Sequence, residues 1–427
     1  MAKAFPRHTI NLDTSAYVTY FKLWKDMDLT SGTNVLKFEK AFAEYIGAVS
    51  CVAMSSARAA FYVTMKALAI GRGDEVIMPA YTFPSMPAAV VAIGAIPVFV
   101  DVDPETFNID PALAAAAVTP KTKAIVAAHL FGQAAEVESL AKTAKAANAF
   151  LIEDCAHSTG VFFHGKHVGS WGDAGLFSFG IGKNMPCFGG GAVTFKDRDL
   201  SGKVRKLVNS FSEPEDMSIH KKVWGSIPGW LLTRPESFPW TFYIVARMLS
   251  SMGSDAMDAS VEEPISETTH FSLRSVNKMA NLQATVGIEQ LTKLRQRNAT
   301  LARNGAYLAE KLQGIPTVQA PKPVAGEEHI YQYFRILVPE AGRFRSLLLK
   351  RGVDTKRDDM RDCSGLAAFS AFKKDCPVAA DLPDKSIELP NNVFLTQGDI
   401  DYIASAVREV ADIVSRTPAD AATSGRS

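Results

Sequence analysis

The sequence contains little cysteine, and the cysteines it has lie far apart. They are odd in number, and no two of them form a Cys-x-x-Cys pair; the five are Cys51, Cys155, Cys187, Cys363 and Cys376. Disulfide frameworks and cysteine-ligated zinc sites both need thiols at close, regular spacings. The sequence therefore predicts reduced thiols and no metal site.

An excess of one charge and a leading apolar run are also missing. The 427 residues carry 46 basic and 45 acidic side chains, a net charge of +1, so we expect no nucleic-acid partner. The first residues, MAKAFPRHTINLDTSAY, lack the charged head, apolar stretch and cleavage site of a secretory signal. The pattern favours a cytoplasmic protein.

Two common nucleotide-binding motifs are absent from the glycine-rich stretch FSFGIGKNMPCFGGG. Phe177 stands where a Walker loop needs its first glycine, and Asn184 follows Lys183 where that loop needs Ser or Thr. Gly180 and Gly182 lack the third glycine of the dinucleotide fingerprint. The lysine in this loop therefore needs another explanation.

What the chain does contain is the pattern of an α/β fold. Short apolar runs alternate with alanine-rich segments of helical period, as a parallel sheet with crossover helices requires. The predicted strands are 52–54, 75–78, 97–102, 123–129 and 150–153, followed by 176–179 and 192–195. The predicted helices are 57–69, 84–93, 111–118 and 136–147, with a long one over 278–314 and a last one from about Asp399.

This pattern divides the chain into two parts and a tail. We expect a large domain over residues 1–275, with an N-terminal arm, and a linking helix with a small α+β domain over 276–415. The end of the chain, 416–427, is small and polar and is expected to be disordered.

A tryptophan-rich segment lies near residues 210–265. Its unbroken apolar part is about ten residues long and Arg247 interrupts it, so it is too short for the roughly 20 helical residues that span a bilayer. It either packs on its own domain or a partner subunit, or forms a lid or membrane-surface element over 224–249 for a hydrophobic substrate.

Lys183 and Asp154 are candidates for one site. Lys183 lies among aromatic residues and glycines, and either reaches out to water or serves as a nucleophilic amine in a dry pocket. Asp154 ends the predicted strand AFLIED, and the carboxyl ends of parallel strands are where ligands bind. An aspartate there is either a ligand for a bound group or a helix cap.

A candidate anion site lies between the first strand and its helix. Ser56 is the expected N-cap in MSSAR, and a helix start offers N–H groups and a positive dipole end to a phosphate. Arg58 adds further hydrogen-bond donors for an anion. The alternative is that Ser56 only caps the helix and that no anion binds there. Pyridoxal 5'-phosphate (PLP) needs a lysine, an acid for its ring nitrogen and a phosphate cup, and so uses all these parts together.

The sequence also closely resembles the DegT/DnrJ/EryC1/StrS family of PLP-dependent sugar aminotransferases of fold type I. The resemblance is carried by GDEVIMPAYTFPS, FLIEDCAHSTG, GDAGLFSFGIGKN and GGGAVTF, and more loosely by NKMANLQATVGIEQL. It implies a large domain with a mostly parallel seven-stranded sheet flanked by helices, and a smaller C-terminal α+β domain.

The resemblance also implies site residues. They are Lys183 as the Schiff-base lysine, Asp154 beside the pyridine nitrogen, His157 and Phe83 on the ring, and Ser178 with Ser56, Ala57 and Arg58 on the phosphate. The family's Asn-x-Arg-Met, which reaches the neighbouring subunit's phosphate, appears here as Val276-Asn-Lys-Met279, so Asn277 or Lys278 takes that place. Another departure is Arg357-Asp-Asp-Met-Arg-Asp-Cys363, where the family has a His-Tyr-Pro-Leu-His-type stretch.

The function implied by the resemblance is amino transfer in amino-sugar biosynthesis by a homodimer. Glutamate would give its amine to the keto group of a nucleotide-linked keto-sugar, and Lys183, in place of the histidine of the family's dehydratases, favours amino transfer. Two alternatives stay open: an aminotransferase for a hydrophobic or lipid-linked ketone or aldehyde, and a PLP-binding regulatory protein without turnover.

Overall fold

The computed structural model describes residues 3–251, 271–272, 276–357 and 359–416. The predicted tail beyond residue 416 and the tryptophan-rich segment beyond residue 251 lie outside the described residues.

The central sheet has seven strands, which confirms the predicted α/β architecture. They are β1 (Ser50–Met54), β2 (Glu75–Pro79), β4 (Ile96–Val100), β5 (Thr122–Ala128), β6 (Phe150–Asp154), β9 (Ala174–Ser178) and β10 (Gly191–Phe195). Their order is β1-β10-β9-β6-β5-β2-β4, and β10 runs against the other six. Each predicted strand ends within two residues of the observed one.

Helices cover both faces of this sheet. Before the long connecting helix the chain forms α1 (Thr14–Lys25), α2 (Asn34–Ile46), α3 (Ala57–Ala67), α4 (Ser85–Ala92), α5 (Pro111–Ala116), α6 (Val137–Ala146), α7 (Arg198–Asn209), α8 (Asp216–Leu232) and α9 (Phe242–Ser251). Side chains alternate along the strands, so Ile77 joins the core beneath α2, and Val76 and Met78 join the core beneath α3.

A 32-residue helix, α10 (Asn281–Leu312), connects this sheet to a smaller one. Leu282 lies in the core under α2, and Leu308 and Leu312 lie in the core of the small sheet. The elements around the small sheet are β11 (Phe334–Leu337), α11 (Ala341–Lys350), β12 (Lys356–Arg357), α12 (Pro377–Lys385), β14 (Ser386–Leu389) and α13 (Gln397–Arg416). The strand order of this sheet is β11-β14-β12.

Several elements have no counterpart among the predicted ones. They include α1, α2, α7, α8, α9, the hairpin of β7 (Phe162–Phe163) with β8 (Lys166–His167), and the pair of β3 (Tyr81–Thr82) with β13 (Arg361–Asp362). The last pair joins a loop of the large sheet to a segment next to the small sheet. Because a strand of two residues has almost no periodicity, the sequence pattern does not reveal β3, β7, β8 or β13.

The N-terminal arm is held against the small sheet by a buried ion pair. Phe5 forms a backbone bridge with Val353, and the guanidinium of Arg7 donates to both carboxylate oxygens of Asp354 at 2.9 and 2.8 Å. Both charged side chains are buried. The arm is thereby fixed to the small sheet before the chain enters α1.

Replacing Asp354 with alanine tests this anchor. Since the change leaves the buried guanidinium of Arg7 without its carboxylate, we expect the free energy of unfolding to fall by about 3 kcal/mol or more. The matched control is Glu44→Ala, which removes an exposed pair with Lys40 and should cost less than about 0.5 kcal/mol. Urea denaturation measures both, and equal losses in the two variants would contradict the account.

Candidate active site

A cavity of about 280 Å³ lies at the carboxyl ends of the parallel strands. Its lining includes seven of the predicted residues: Ala57, Arg58, Phe83, Asp154, His157, Ser178 and Lys183. Asp154 and Ser178 are the last residues of β6 and β9, and His129 directly follows β5. The site lies where ligands bind in open α/β sheets.

Lys183 lies in the turn that follows β9, and it lines the cavity. Its backbone N–H donates to the carbonyl of Gly180 at 3.0 Å. Its Nζ is 5.6 Å from the centroid of the Tyr333 ring. Burial lowers the pKa of Lys183 from 10.5 to about 8, against the opposing effect of the Asp154 charge. A neutral, nucleophilic amine is therefore accessible near neutral pH.

Asp154 supplies the acid of the cavity. Its Oδ1 accepts the backbone N–H of Ala156 at 3.0 Å. Burial raises the pKa of the Asp154 carboxyl, whereas the N–H bond and the Lys183 charge lower it. A cationic group bound beside this carboxyl would favour its ionised form.

Glu153, the neighbour of Asp154, fixes the end of β6 from the opposite face. Its carboxylate accepts the backbone N–H groups of Gly169, Trp171 and Gly172 at 2.7, 2.8 and 2.7 Å. His129 lies 3.1 Å from the same carboxylate through Nε2, and its Nδ1 accepts the N–H of Ala135, so Nε2 is the donor to Glu153. Since both ring nitrogens of His129 form hydrogen bonds, this buried pair supports the end of β6 next to the cavity.

The predicted phosphate cup is the start of α3. The Oγ of Ser56 accepts the backbone N–H of Ala59 at 3.2 Å, so Ser56 is the N-cap and is held beside the cavity, whereas Ala57 and Arg58 line it. A Cβ at Gly191 would lie 2.2 Å from the backbone nitrogen of Ala57. Only glycine allows β10 to pass this close to the helix start.

Aromatic rings enclose His157. It stacks on Phe131, with ring centroids 5.8 Å apart, and meets the edge of Tyr333 at 4.8 Å. Burial holds the pKa of His157 well below 6.5, so the ring is neutral. Its Nδ1 accepts the N–H of Phe131 at 3.4 Å, which leaves the proton on Nε2. Phe83 lines the same cavity.

Asn277 and Lys278 lie beside the cup and are not part of the cavity lining. The backbone N–H of Asn277 donates to the hydroxyl of Ser55 at 3.1 Å, and the backbone N–H of Ser55 donates to the carbonyl of Asn277 at 2.9 Å. The Nζ of Lys278 forms an ion pair with Glu213 at 2.8 Å. Contact of either residue with a neighbouring subunit stays a prediction.

Two residues near Lys183 were missed by the sequence reasoning. The hydroxyl of Tyr333, just before β11, donates to the carbonyl of Gly182 at 2.9 Å. His8 of the N-terminal arm stacks on Tyr333, with centroids 6.1 Å apart, and burial lowers its pKa to about 4. Both come from parts of the chain far from Lys183, and no local motif marks them.

The pH dependence of labelling at Lys183 tests the dry cavity. Reductive methylation with formaldehyde needs the neutral amine, so the rate at Lys183 should rise as the pH increases through about 8 and then level off. Mass spectrometry of the peptide that contains Lys183 measures the rate, and a Lys183→Met variant identifies that peptide. A rate that still climbs steadily at pH 10 would contradict the lowered pKa.

Comparison with known proteins identifies relatives along most of the chain. GDP-perosamine synthase of Caulobacter vibrioides is 28% identical over 396 residues, which is 89% of this chain and 90% of the relative. The spore coat polysaccharide biosynthesis protein SpsC of Bacillus subtilis is 30% identical over 396 residues and 90% of both chains. A crystal structure of DesI in the presence of its TDP-sugar product is 27% identical, with a TM-score of 0.72, over 97% of this chain and 96% of that one.

A family model gives the same result. It matches residues 18–230 and 243–408, and so includes the cavity, the helix start and the lysine loop. The match, the fold and the relatives agree with the expected architecture and with an aminotransferase activity. The chain belongs to the DegT/DnrJ/EryC1/StrS aminotransferase family.

Proposed function

We propose that this aminotransferase uses PLP to move an amino group from glutamate to the keto group of a nucleotide-linked sugar. The observation that carries the proposal is a single cavity at the start of α3. It contains both Lys183, whose pKa is lowered, and Asp154. Amine, acid and phosphate cup are the three parts that PLP requires.

The residues of the cavity fit this cofactor. Lys183 would bind it covalently, and Asp154 would hold the proton on its ring nitrogen. Phe83 and His157 would lie against the ring. The start of α3 with Ser56, Ala57, Arg58 and Ser178 would hold the phosphate. When bound, PLP supplies an electron sink for the carbon that loses or gains the amine.

The chain's own groups handle the protons. Once released from the cofactor, Lys183 can take up and return a proton at Nζ, because its pKa of about 8 is close to the working pH. The carboxylate of Asp154 would orient the cofactor and keep a positive charge beside it. His157, neutral through burial, has its Nε2–H available as a donor within the cavity.

The substrate class rests on the relatives. One of them is named GDP-perosamine synthase, another a dTDP-3-amino-3,6-dideoxy-alpha-D-galactopyranose transaminase, and DesI was crystallised with a TDP-sugar product. Nucleotide-linked sugars are therefore the acceptors we propose. The glutamate donor rests on the family resemblance.

A homodimer with active sites at its interface completes the proposal. Arg58 lines the cavity but is exposed in the single chain, so the phosphate end of the cavity opens to solvent. A second copy covering this end would exclude water and bring Asn277 or Lys278 of one subunit towards the phosphate of the other.

An acceptor screen tests the proposed reaction. The protein, loaded with PLP, should form 2-oxoglutarate from glutamate when a GDP- or dTDP-linked keto-sugar is supplied, and a hydrophobic ketone should not replace the sugar. Lys183→Ala should abolish turnover, and Lys183→Arg, which keeps the charge without the reactive amine, should be equally inactive.

Two results would contradict this proposal. Turnover with hydrophobic carbonyl compounds alone would favour the lipid-linked alternative, and PLP binding without 2-oxoglutarate formation with any acceptor would favour a non-catalytic regulatory protein.

Substitution of Asp154 tests the role of its charge. Asp154→Asn keeps the shape but removes the carboxylate, so kcat should fall about 10²- to 10⁴-fold. Asp154→Glu keeps the charge and should recover part of the loss. Steady-state kinetics with glutamate measure both variants, and an Asn variant with unchanged kcat would remove Asp154 from the mechanism.

A further inference from the structure

The segment from α8 to α9 contains a part that the family model does not match. The family match stops at residue 230 and resumes at residue 243, so residues 231–242 have no counterpart in the family model. They contain the turn Phe238–Trp240, which connects α8 to α9. The features of this connection are therefore not needed for the chemistry that the family shares.

The inner face of α9 packs against α11, the helix that follows β11 of the small sheet. Phe238, Tyr243 and Ala246 are buried in one cluster with Ala4 and Leu349. The hydroxyl of Tyr243 donates to the carbonyl of Leu349, in α11, at 3.1 Å. This contact places α9 as a packed surface helix with a defined outer face.

The outer face of α9 is also apolar. Ile244 and Val245 are 43% and 50% exposed, and Trp240 just before the helix is 59% exposed. A surface helix of a globular protein normally turns polar residues to water, and a helix that is apolar all round is normally covered on all sides. Something other than water is therefore expected on this face.

A second exposed tryptophan lies on α8. Trp224 is 52% exposed, and its ring lies 6.2 Å from that of Phe21 on α1, which is itself exposed. The indole N–H of Trp224 donates to the hydroxyl of Tyr20 at 3.1 Å, so the ring has a fixed orientation. Tryptophan is enriched where an apolar phase meets water, because the ring has both an apolar body and a polar edge.

The charge of the segment indicates the partner. Residues 216–251, from the start of α8 to the end of α9, contain four cations, Lys221, Lys222, Arg234 and Arg247, and two acids, Asp216 and Glu236. None of the four cations forms an ion pair with another residue in the part of the chain that the structure describes. Arg234, however, lies over the rings of Trp230 and Phe394 and donates to the carbonyl of Leu12, so it is already engaged within the protein. Arg247 is exposed on α9 beside the apolar side chains. An apolar face with a cation beside it is a pattern of helices that lie on anionic lipid.

The same charge disfavours a second copy as the occupant. A two-fold interface places the same patch of both copies face to face. Here it would bring the cations of both copies, among them Arg247 and Lys221, into one interface, where Asp216 and Glu236 are the two acids that each copy of residues 216–251 contributes. Like charges brought together across an interface cost free energy, whereas anionic phospholipids complement them.

We propose that Trp240, Ile244, Val245 and Arg247, here called the insert surface, dock this enzyme on the surface of a bilayer that contains anionic phospholipid. The apolar side chains enter the headgroup region and Arg247 binds lipid phosphate. No helix among the described residues is long and apolar enough to cross a membrane, so α9 lies along the surface. This docking is independent of the proposed acceptor.

Vesicle sedimentation of the full chain tests the insert surface. The protein should sediment with vesicles of phosphatidylglycerol and phosphatidylcholine, and less with phosphatidylcholine alone. The double variant I244Q/V245Q should bind at least tenfold more weakly, because it removes two apolar anchors while glutamine keeps the helix. Arg247→Gln should weaken binding to anionic vesicles and reduce its salt dependence.

The matched control is L36Q/L113Q, which replaces two exposed leucines, on α2 and α5, by the same residue. It should bind vesicles like the original protein. Circular dichroism and glutamate-dependent turnover without vesicles should be the same for all variants, so a folding defect or a failed assay is distinguished from lost docking.

Three outcomes would overturn the proposal. The first is no sedimentation of the original protein with anionic vesicles. The second is equal vesicle binding by I244Q/V245Q. The third is a fall in molecular mass for I244Q/V245Q in analytical ultracentrifugation, which would make the insert surface a contact between copies of the chain.

Discussion

The removal of water from the amine of Lys183 is the constraint on which the site depends. A buried ammonium is costly, so burial lowers the pKa to about 8 and makes the neutral, nucleophilic form accessible. Asp154, in the same cavity, limits this shift because its negative charge favours the ammonium. The balance between the two keeps the amine close to the pH at which it can both accept and release a proton.

The fold supplies this balance through the ends of its parallel strands. Asp154 and Ser178 end two adjacent strands, and Ser56 caps the helix that follows a third. The position of Asp154 is secured by its neighbour Glu153, whose carboxylate accepts hydrogen bonds from three backbone N–H groups and from Nε2–H of His129. These hydrogen bonds stabilise the buried carboxylate of Glu153, and moving it would disrupt the loop after β8.

Local patterns predicted much of this arrangement. The strands and crossover helices were found because each has a clear period and a glycine or polar boundary, and Asp154 and Lys183 because a charged residue ends an apolar strand or interrupts an apolar loop. The resemblance to the family then assigned roles to Phe83, His157 and the residues of the cup. The structure places these residues in or beside one cavity, but their roles on a cofactor remain proposals.

What the sequence did not reveal comes from contacts between distant segments. Tyr333 and His8 reach the Lys183 loop from the small sheet and the N-terminal arm, separated from it by about 150 residues or more of chain, so no spacing rule marks them. For Glu153, the sequence showed only that an acidic residue precedes Asp154, and it did not reveal the hydrogen bonds that Glu153 forms. The tryptophan-rich segment left two interpretations open, because its sequence shows that it is apolar but not which side of it is buried. In the structure one side of α9 packs against Leu349 and the other side is exposed.

The central claim is that Lys183 is the residue that binds the cofactor. Borohydride reduction of the PLP-loaded protein, followed by proteolysis and mass spectrometry, tests it most directly, because reduction makes the bond permanent and the peptide identifies the amine. The account predicts one modified peptide, containing Lys183. Modification of another lysine, such as Lys222 or Lys356, or a protein that takes up no PLP, would contradict it.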